Sequence, residues 1–306
     1  MHQIDISGYK KLQYASCIEE LSADEFEFMF RLYLMQQQGE IDIDYFRFML
    51  TVKLLGIKKT VKYYTMSPEN RELVNDNINR LVETIDSFYE HAEEDGKLVK
   101  KLNLKWIKQM LPSIGKLIGP ADALTNCTIY EYKEALSHYS QYVATNYEIH
   151  LNHLIATLYR PTVRFYTVRK WFGQILSDPR QPFNAKSNPI KITERANKIN
   201  ALPKHLKLAV LLWFGNCVDF IATGRPTIDG IEMDFSILFS KKTDSDNTPA
   251  GIGLTGVIYS LAESSVFGNA EQTGNTNLYD VLVRLYQLKL ELDALKDKNN
   301  KHNDKD

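Results

Sequence analysis

The sequence predicts a mainly α, multi-helical globular protein with two small β-hairpins. Apolar residues recur at helical spacing along most of the chain, and helix-capping patterns stand in front of several of these stretches. Asp-Gly turn pairs occur at two places, each next to a short extended run. The 306 residues are 44% hydrophobic and 25% charged, which is the composition of a globular chain rather than a disordered one.

An N-terminal helical region with three helices is predicted over residues 1–92. Ser22 and Glu25 form a capping box, in which each side chain satisfies a backbone N–H of the other residue, and an apolar stripe follows them. Pro68 stands where the first turn of the third helix needs no N–H. We expect that helix to run to about His91.

Residues 93–295 are predicted to form the main helical domain. Its two hairpins are expected near residues 88–104 and 226–238. The turn pair Asp95-Gly96 marks the first hairpin, and the turn pair Asp229-Gly230 marks the second.

The capping pattern recurs at Thr128 and Glu131, which predicts a helix after them. Residues 162–203 contain four prolines and are expected to form loops with one or two short helices. Residues 206–221 are the most apolar stretch, so a central helix is expected there. Residues 296–306 have almost no apolar side chains and are predicted to be a disordered tail. Further helices are predicted over 252–263 and 277–296.

Charge is unevenly distributed along the chain, although the total is only −1. Residues 160–207 carry eleven lysines and arginines against two acidic residues, a net charge of +9. Residues 1–50 and 208–306 each carry a net charge of −5. A basic middle of this kind predicts contact with an acidic surface, on a partner or on a neighbouring copy.

Aromatic residues are interleaved with the bases of this middle stretch. Such a mixture can anchor a protein partner, and it can also bind single-stranded nucleic acid by phosphate contact and stacking. A third interpretation is that the aromatic residues only fill the core between the prolines. The predicted partner-binding residues are Arg160, Arg164, Arg169, Lys170, Trp171 and Phe172.

No catalytic, metal-binding or cofactor-binding motif is complete in the sequence. The pattern G-x-G-x-x-G at residues 251–256 lacks the buried strand that a dinucleotide site needs in front of it, and the pattern S-x-x-K at residues 113–116 lacks the K-T-G of serine enzymes. Three cysteines are too few for a four-cysteine metal site. We therefore expect no enzyme activity, no metal and no cofactor. The clustered candidates for an enzyme are Glu134, His138, His150 and His153.

The N-terminus has no apolar segment of the secretory type, and the cysteine usage fits a reducing compartment. The longest apolar stretch, residues 206–223, is interrupted by Lys207, Asn216 and Asp219, so no membrane span is expected. The sequence therefore predicts a cytoplasmic protein that does not bind a membrane.

Several short stretches carry a resemblance to a known group of proteins. They are DALT (122–125), LIATLYRP (154–161), LWFGNC (212–217), GLTG (253–256), LAES (261–264), VFG (266–268) and NLYDVL (277–282). The chain resembles uncharacterised proteins encoded in the structural-gene region of tailed phages and prophages of Bacteroidetes. Its closing pattern is similar to the endings of some phage tail assembly chaperones, which hold the tape-measure protein while the tail tube polymerises.

This resemblance implies a non-enzymatic virion, tail or neck assembly protein that acts through protein–protein contacts. Its implied partners are other phage structural or assembly proteins, the tape-measure protein among them, and further copies of itself. The implied location is the host cytoplasm, or the virion if the protein stays in the finished particle. The alternative interpretation is a nucleic-acid-binding protein that uses the basic aromatic stretch 160–207.

Overall fold

Twelve α-helices and four small antiparallel sheets make up the described part of the chain, so the predicted mainly α, multi-helical fold is confirmed. The structure is a computed structural model. It describes residues 2–4, 12–57, 61–94, 96–166, 171–172, 178–183, 188–239 and 253–303.

The chain divides into two compact units. The first unit is Met1–Trp106 together with Pro203–Leu212, and the second is Ile107–Leu202 together with Trp213–Asp306. The first unit thus extends past the boundary predicted at residue 92, because it includes the whole of the first hairpin.

Four helices and two hairpins lie entirely in the first unit, which also includes Pro203–Leu212 from later in the chain. The helices are α1 (Ala23–Gln37), α2 (Ile43–Leu54), α3 (Val61–Thr65) and α4 (Pro68–Leu81). The paired strands are β1 (His2–Ile4) with β2 (Leu12–Tyr14), and β3 (Tyr89–Glu94) with β4 (Lys97–Leu102). The predicted hairpin near 88–104 is thereby confirmed.

The third predicted helix is shorter than expected. Helix α4 begins at Pro68 as predicted but ends at Leu81, and a 3-10 helix, Val82–Phe88, leads into strand β3. The expectation that this helix reaches His91 is wrong, because His91 lies in β3 and pairs with Lys100. Instead of further helical turns, the chain here forms six residue pairs with strand β4.

Aromatic packing forms the core of the first unit around the start of α1. The capping box is confirmed: the Ser22 hydroxyl accepts the Glu25 N–H at 3.3 Å, and the Glu25 carboxylate accepts the Ser22 N–H at 2.8 Å. One turn further, the buried rings of Phe26 and Phe30 lie 4.7 Å apart, and Trp106 lies 5.5 Å from Phe30. Burying each such ring stabilises the fold by roughly 1.5–3 kcal/mol.

The remainder of the chain adds eight helices and five short strands. The helices are α5 (Ile129–Thr145), α6 (Glu148–Leu158), α7 (Asn188–Ile199), α8 (Lys204–Thr223), α9 (Ser236–Phe239), α10 (Gly253–Glu263), α11 (Ala270–Asn275) and α12 (Leu278–Asn303). The strands are β5 (Ser113–Ile114), β6 (Leu117–Ile118), β7 (Arg160–Pro161), β8 (Thr227–Ile228) and β9 (Ile231–Glu232).

Strands β5, β6 and β7 form one sheet with β6 in the middle, and β8 pairs with β9. The predicted hairpin near 226–238 is thus confirmed, with Asp229 and Gly230 both at positive φ in its turn. Helices α5 and α6 are joined by two residues, and Asn146 ends α5 in the left-handed conformation that a sharp reversal needs. This joint sets the position of α6 and of strand β7 after it.

Helix α8 is the apolar helix predicted over residues 206–221. Its buried side chains include Trp213, Phe214 and Cys217, as expected of a core helix. The Trp213 indole N–H donates to the carbonyl of Ile107 at 3.0 Å. By length and composition alone α8 also meets the criteria for a membrane-spanning helix, as core helices of water-soluble proteins commonly do.

The backbone remains helical further towards the C-terminus than the sequence predicts. Helix α12 continues to Asn303, whereas a disordered tail is expected from residue 296. Adding a residue to an existing helix costs far less than starting one, so polar residues can extend α12. Residues 304–306 lie outside the described part of the chain.

The cysteines differ in exposure, and this difference gives a test of the fold. Cys17 is exposed, while Cys127 and Cys217 are buried, and burial raises the pKa of both buried thiols. Because the thiolate is the reactive form, we expect a thiol reagent at neutral pH to modify one cysteine in the native chain and three after denaturation. Cys17→Ser should abolish the native reaction. Rapid modification of a second native thiol would contradict the burial described here.

Candidate functional site

The segment 163–179 carries five of the six predicted partner-binding residues, and backbone hydrogen bonds hold its two ends together. The Val163 N–H donates to the Pro179 carbonyl at 2.9 Å, and the Gln181 N–H donates to the Pro161 carbonyl at 2.8 Å. Thr162 and Arg180 form an isolated antiparallel bridge between these two contacts. The two ends of the segment therefore lie side by side.

Beneath this bridge, Arg180 is completely buried in a group of charged side chains that we name the ionic base (Glu131, Arg160, Asp178 and Arg180). Its Nη1 donates to Glu131 Oε1 at 2.6 Å, and its Nε donates to Asp178 Oδ1 at 2.9 Å. Further Arg180 hydrogen bonds reach the carbonyls of Leu158 and Asn126. Every nitrogen of this guanidinium thus has a partner.

Arg160 enters the same ionic base from strand β7. Its Nη1 lies 2.8 Å from Glu131 Oε1, and its Nη2 lies 3.3 Å from Asp178 Oδ2. The Arg160 side chain is only 3% exposed. Its guanidinium therefore lies in the interior of the second unit. Arg160 was predicted to contact a partner through its charge, and a buried side chain cannot do so.

The ionic base is balanced in charge, with two guanidinium groups facing two carboxylates. Burial is the largest single influence on the pKa of Arg180 and acts to lower it, but Glu131, Cys127 and Asp178 beside the guanidinium together raise that pKa above its usual value. Arg180 therefore stays charged at any pH at which the fold persists. A buried group with balanced charges keeps its four side chains in place, because moving or removing one of them would leave an unpaired charge in the interior.

Glu131 shows why the sequence does not reveal the ionic base. The Thr128 hydroxyl accepts the Glu131 N–H at 3.2 Å, so the predicted cap on α5 is present. The carboxylate of Glu131 does not return to Thr128, however, and instead binds Arg160 and Arg180. The second half of the predicted capping box is therefore wrong, since two buried guanidinium groups attract the carboxylate more strongly than one backbone N–H does.

Where the structure describes the 163–179 segment, three of its exposed side chains are aromatic. Trp171 is 84% exposed, Phe172 is 72% exposed, and their ring centroids lie 5.2 Å apart. Phe165 is 71% exposed and stands at a φ of 59°, a conformation that is strained for a side chain of this size. Arg164 beside it is also exposed. Large apolar rings in water are costly unless something covers them.

Two of the predicted residues, Arg169 and Lys170, lie outside the described residues. Among the other predicted residues, Arg164, Trp171 and Phe172 are exposed on the same segment, and Arg160 alone is buried. Phe165 is one of the aromatic residues interleaved with the bases in the sequence, but the predicted partner-binding residues do not include it.

Several described bases of the stretch 160–207 do not contribute to a positive surface. Arg160, Arg180 and Lys207 are buried, and Arg195 donates to the Ala156 carbonyl at 3.0 Å. The net charge of +9 counted along the sequence omits Glu131, which lies outside the stretch but neutralises part of it. The positive charge on the surface is thus smaller than the sequence suggests. The exposed aromatic residues therefore become the more important part of the candidate site.

The structure brings together the four residues that were the candidates for an enzyme. His138 Nε2 lies 3.4 Å from Glu134 Oε1, and the ring centroid of His138 lies 5.2 Å from that of His153 and 6.4 Å from that of His150. The hydrogen bond with His138 lowers the pKa of Glu134. Over the residues that the structure describes, no group of three or more His, Cys, Asp or Glu side chains is arranged to hold a metal ion.

Cavities elsewhere do not include the predicted site residues. A cavity of about 510 Å³ in the first unit is lined by apolar side chains such as Phe28 and Met49, and also by the polar side chains of Ser22, Asp24, Glu25 and Lys53. A cavity of about 420 Å³ in the second unit is lined by Phe220, Ile228 and Tyr279 among others, and no charged side chain lines it. In the first cavity, Lys53 pairs with Asp24 and Glu25 caps α1, so these three charged side chains already have partners.

Comparison of the chain with protein-family models, with curated proteins and with solved structures finds no match.

Proposed function

We propose that the protein is a non-enzymatic assembly protein that binds another protein through the 163–179 segment. The observation that carries this proposal is the exposure of Trp171 and Phe172 on a segment whose two ends are joined at Thr162 and Arg180. Tryptophan and arginine are the residues that most often dominate the binding energy of protein interfaces. The buried ionic base fixes both ends of the segment. The segment therefore loses less conformational entropy when it binds a partner.

The sequence resemblance supplies the identity of the proposed partner. It makes a phage structural or assembly protein of the tail or neck the partner to test first, the tape-measure protein included, and places the encounter in the host cytoplasm. Arg164, Arg169 and Lys170 would then meet acidic groups around the apolar contact, where they raise the rate of association and set its orientation.

Nucleic acid is the alternative ligand for the same segment. Exposed aromatic rings next to arginine can stack on bases, which favours this alternative. Against it stands the burial of Arg160, Arg180 and Lys207, which removes cations that would otherwise contact phosphates. We therefore favour a protein partner.

The partner can be found by native mass spectrometry of the tagged full chain, purified gently from the cells that naturally make it. A complex with a phage structural protein supports the proposal, and the same measurement on mature particles reports whether the protein stays in the virion. A chain that carries nucleic acid instead, released by moderate salt, would favour the alternative.

Replacing Trp171 and Phe172 together with alanine is expected to weaken binding to the partner so identified by at least about tenfold. The rings are exposed, so the melting temperature should stay unchanged. Tyr259→Ala is the matched control, since Tyr259 is 56% exposed on α10 and lies outside the segment. Titration calorimetry compares the variants. Equal affinity for both variants and the wild type would refute the proposed site.

Charge reversal of Arg164, Arg169 and Lys170 to glutamate separates the electrostatic part of the contact from the apolar part. If acidic groups on the partner surround the aromatic contact, this variant binds more weakly at low salt, and the difference from wild type shrinks as salt is added. A difference that does not depend on salt would mean that the bases do not contact acidic groups.

A further inference from the structure

A third guanidinium group, that of Arg195 on α7, lies beside the ionic base. Three consecutive carbonyls at the C-terminal end of α6 each accept a hydrogen bond from a different arginine. The pairs are Ala156 with Arg195 at 3.0 Å, Thr157 with Arg160 at 3.4 Å, and Leu158 with Arg180 at 2.9 Å. The partial negative charge at the end of a helix favours cations at this place.

Positive charge exceeds negative charge in this group. The three guanidinium groups share two carboxylates, Glu131 and Asp178, which already pair with Arg160 and Arg180. The end of a helix is equivalent to only about half a further negative charge. Burial and the nearby charge of Arg160 lower the pKa of Arg195, while Glu131 acts to raise it. Arg195 therefore has no carboxylate of its own within the described part of the chain.

The neighbouring parts of the sequence cannot supply the missing negative charge. Residues 167–170, 173–177 and 184–187 lie outside the described residues, and their sequences are TVRK, GQILS and NAKS. None of these three stretches contains an aspartate or a glutamate. The excess of positive charge thus remains when these stretches are counted.

Two buried N–H groups of these arginines also have no hydrogen-bond partner among the residues that the structure describes. They are Arg160 Nε and Arg195 Nη2. The Arg160 side chain is only 3% exposed, and its Cζ lies 5.7 Å from the ring centroid of Phe183, which is also buried. A buried donor on a charged group is destabilising when it has no acceptor. Arg195 is half-buried, so this side of the group adjoins the surface.

We propose that Arg160 Nε and Arg195 Nη2 bind a small tetrahedral oxyanion of the phosphate class. Such an anion supplies both missing parts, because its charge offsets the excess of positive charge and its oxygens accept the two N–H groups. A water molecule would accept the N–H groups but would leave the charge unbalanced.

The positions of the two donors favour a tetrahedral anion over a carboxylate. A carboxylate suits the planar fork of a single guanidinium. Here the donors belong to two guanidinium groups on different elements, strand β7 and helix α7. A tetrahedral anion presents oxygens in several directions and can meet both. It would link β7, which precedes the 163–179 segment, to α7. This proposal goes beyond the proposed function and does not depend on it.

Titration calorimetry of the full chain with inorganic phosphate tests the proposal directly. We expect one site in the wild type. Arg195→Gln should raise the dissociation constant for phosphate by at least about tenfold, because it removes one donor and the unbalanced charge. Lys116→Gln is the matched control, since it removes one positive charge from an exposed turn between β5 and β6. Acetate, a carboxylate, should bind the wild type at least about tenfold more weakly than phosphate.

Thermal melting gives a second measurement. Compared with chloride at the same pH and ionic strength, phosphate should raise the melting temperature of the wild type by at least about 2 °C more than that of Arg195→Gln. The comparison with the variant is needed because phosphate stabilises folded proteins in general by exclusion from their surface. In chloride, Arg195→Gln should melt at about the temperature of the wild type, since the change also relieves the repulsion between Arg195 and Arg160.

Four results would overturn the proposal. The wild type could bind no phosphate, which would mean that water fills the place. Arg195→Gln could bind phosphate as the wild type does, which would show an adventitious ion only. Acetate could bind as tightly as phosphate, which would exclude a tetrahedral anion. A much lower melting temperature of Arg195→Gln in chloride would contradict the excess of positive charge.

Discussion

Replacing Glu131 with glutamine is expected to lower the free energy of unfolding by about 3–5 kcal/mol. Glu131 is fully buried, and both Arg160 and Arg180 lie within 2.8 Å of its Oε1. Glutamine keeps the shape of the side chain but removes its charge, so two buried guanidinium groups are left with Asp178 alone. The loss should appear as a lower urea midpoint with an unchanged slope, because the surface exposed on unfolding stays the same.

Glu134→Gln is the control for this change. Glu134 lies one turn further along α5, its side chain is 42% exposed, and its ion-pair partner is His138 at 3.4 Å. A partly exposed pair of this kind contributes less than about 1 kcal/mol. Similar losses in the two variants would mean that the ionic base does not stabilise the second unit more than an ordinary surface pair.

Gly274→Ala is expected to have the next largest effect, a loss of at least about 2 kcal/mol. Gly274 is buried in α11, and an added Cβ would overlap the ring of Tyr130 at three of its carbon atoms. The ring cannot easily move aside, because the Tyr130 hydroxyl donates to the Ala270 carbonyl at 3.1 Å. Alanine is the better helix former by up to about 1 kcal/mol, which offsets only part of this overlap.

Gly215→Ala is the matched control, since Gly215 is also helical and also faces a tyrosine. Its added Cβ would come closer than 3 Å only to the terminal oxygen of Tyr139, at 2.8 Å, with the nearest ring carbon at 3.4 Å, and that end of the side chain can shift. We expect a much smaller loss for this variant. A double-mutant cycle with Tyr130→Ala isolates the overlap, because the second change should recover part of the loss caused by Gly274→Ala. Strictly additive losses would rule out the overlap as the cause.

Features of the fold that depend on neighbouring residues could be predicted from the sequence. The caps at Ser22, Asp42, Ser67 and Thr128 each accept the N–H of the residue three positions later, and the structure has all four. The two Asp-Gly turns likewise form hairpins at the expected places. In these cases the residues that decide the local structure are adjacent in the chain, so the pattern is sufficient.

The ionic base could not be predicted in this way. Glu131 and Arg180 are 49 residues apart, and the capping pattern offered Glu131 a plausible partner within one turn. Arg160 and Arg180 counted as surface bases because lysine and arginine are rarely buried unless they are paired. Only the fold shows that the pairing exists. The sequence therefore located the exposed aromatic residues of the candidate site but overestimated its positive charge.

The ionic base also restricts how the sequence of this protein can diverge. A change at Glu131, Arg160, Asp178 or Arg180 alone leaves the interior with an unbalanced charge, whereas replacing the whole set by apolar residues of similar volume does not. We therefore expect distant relatives to keep all four residues or to have lost all four together. Such joint inheritance would identify homologues by a signature of Glu, Arg, Asp and Arg in that order, even where the exposed segment above it has adapted to a different partner.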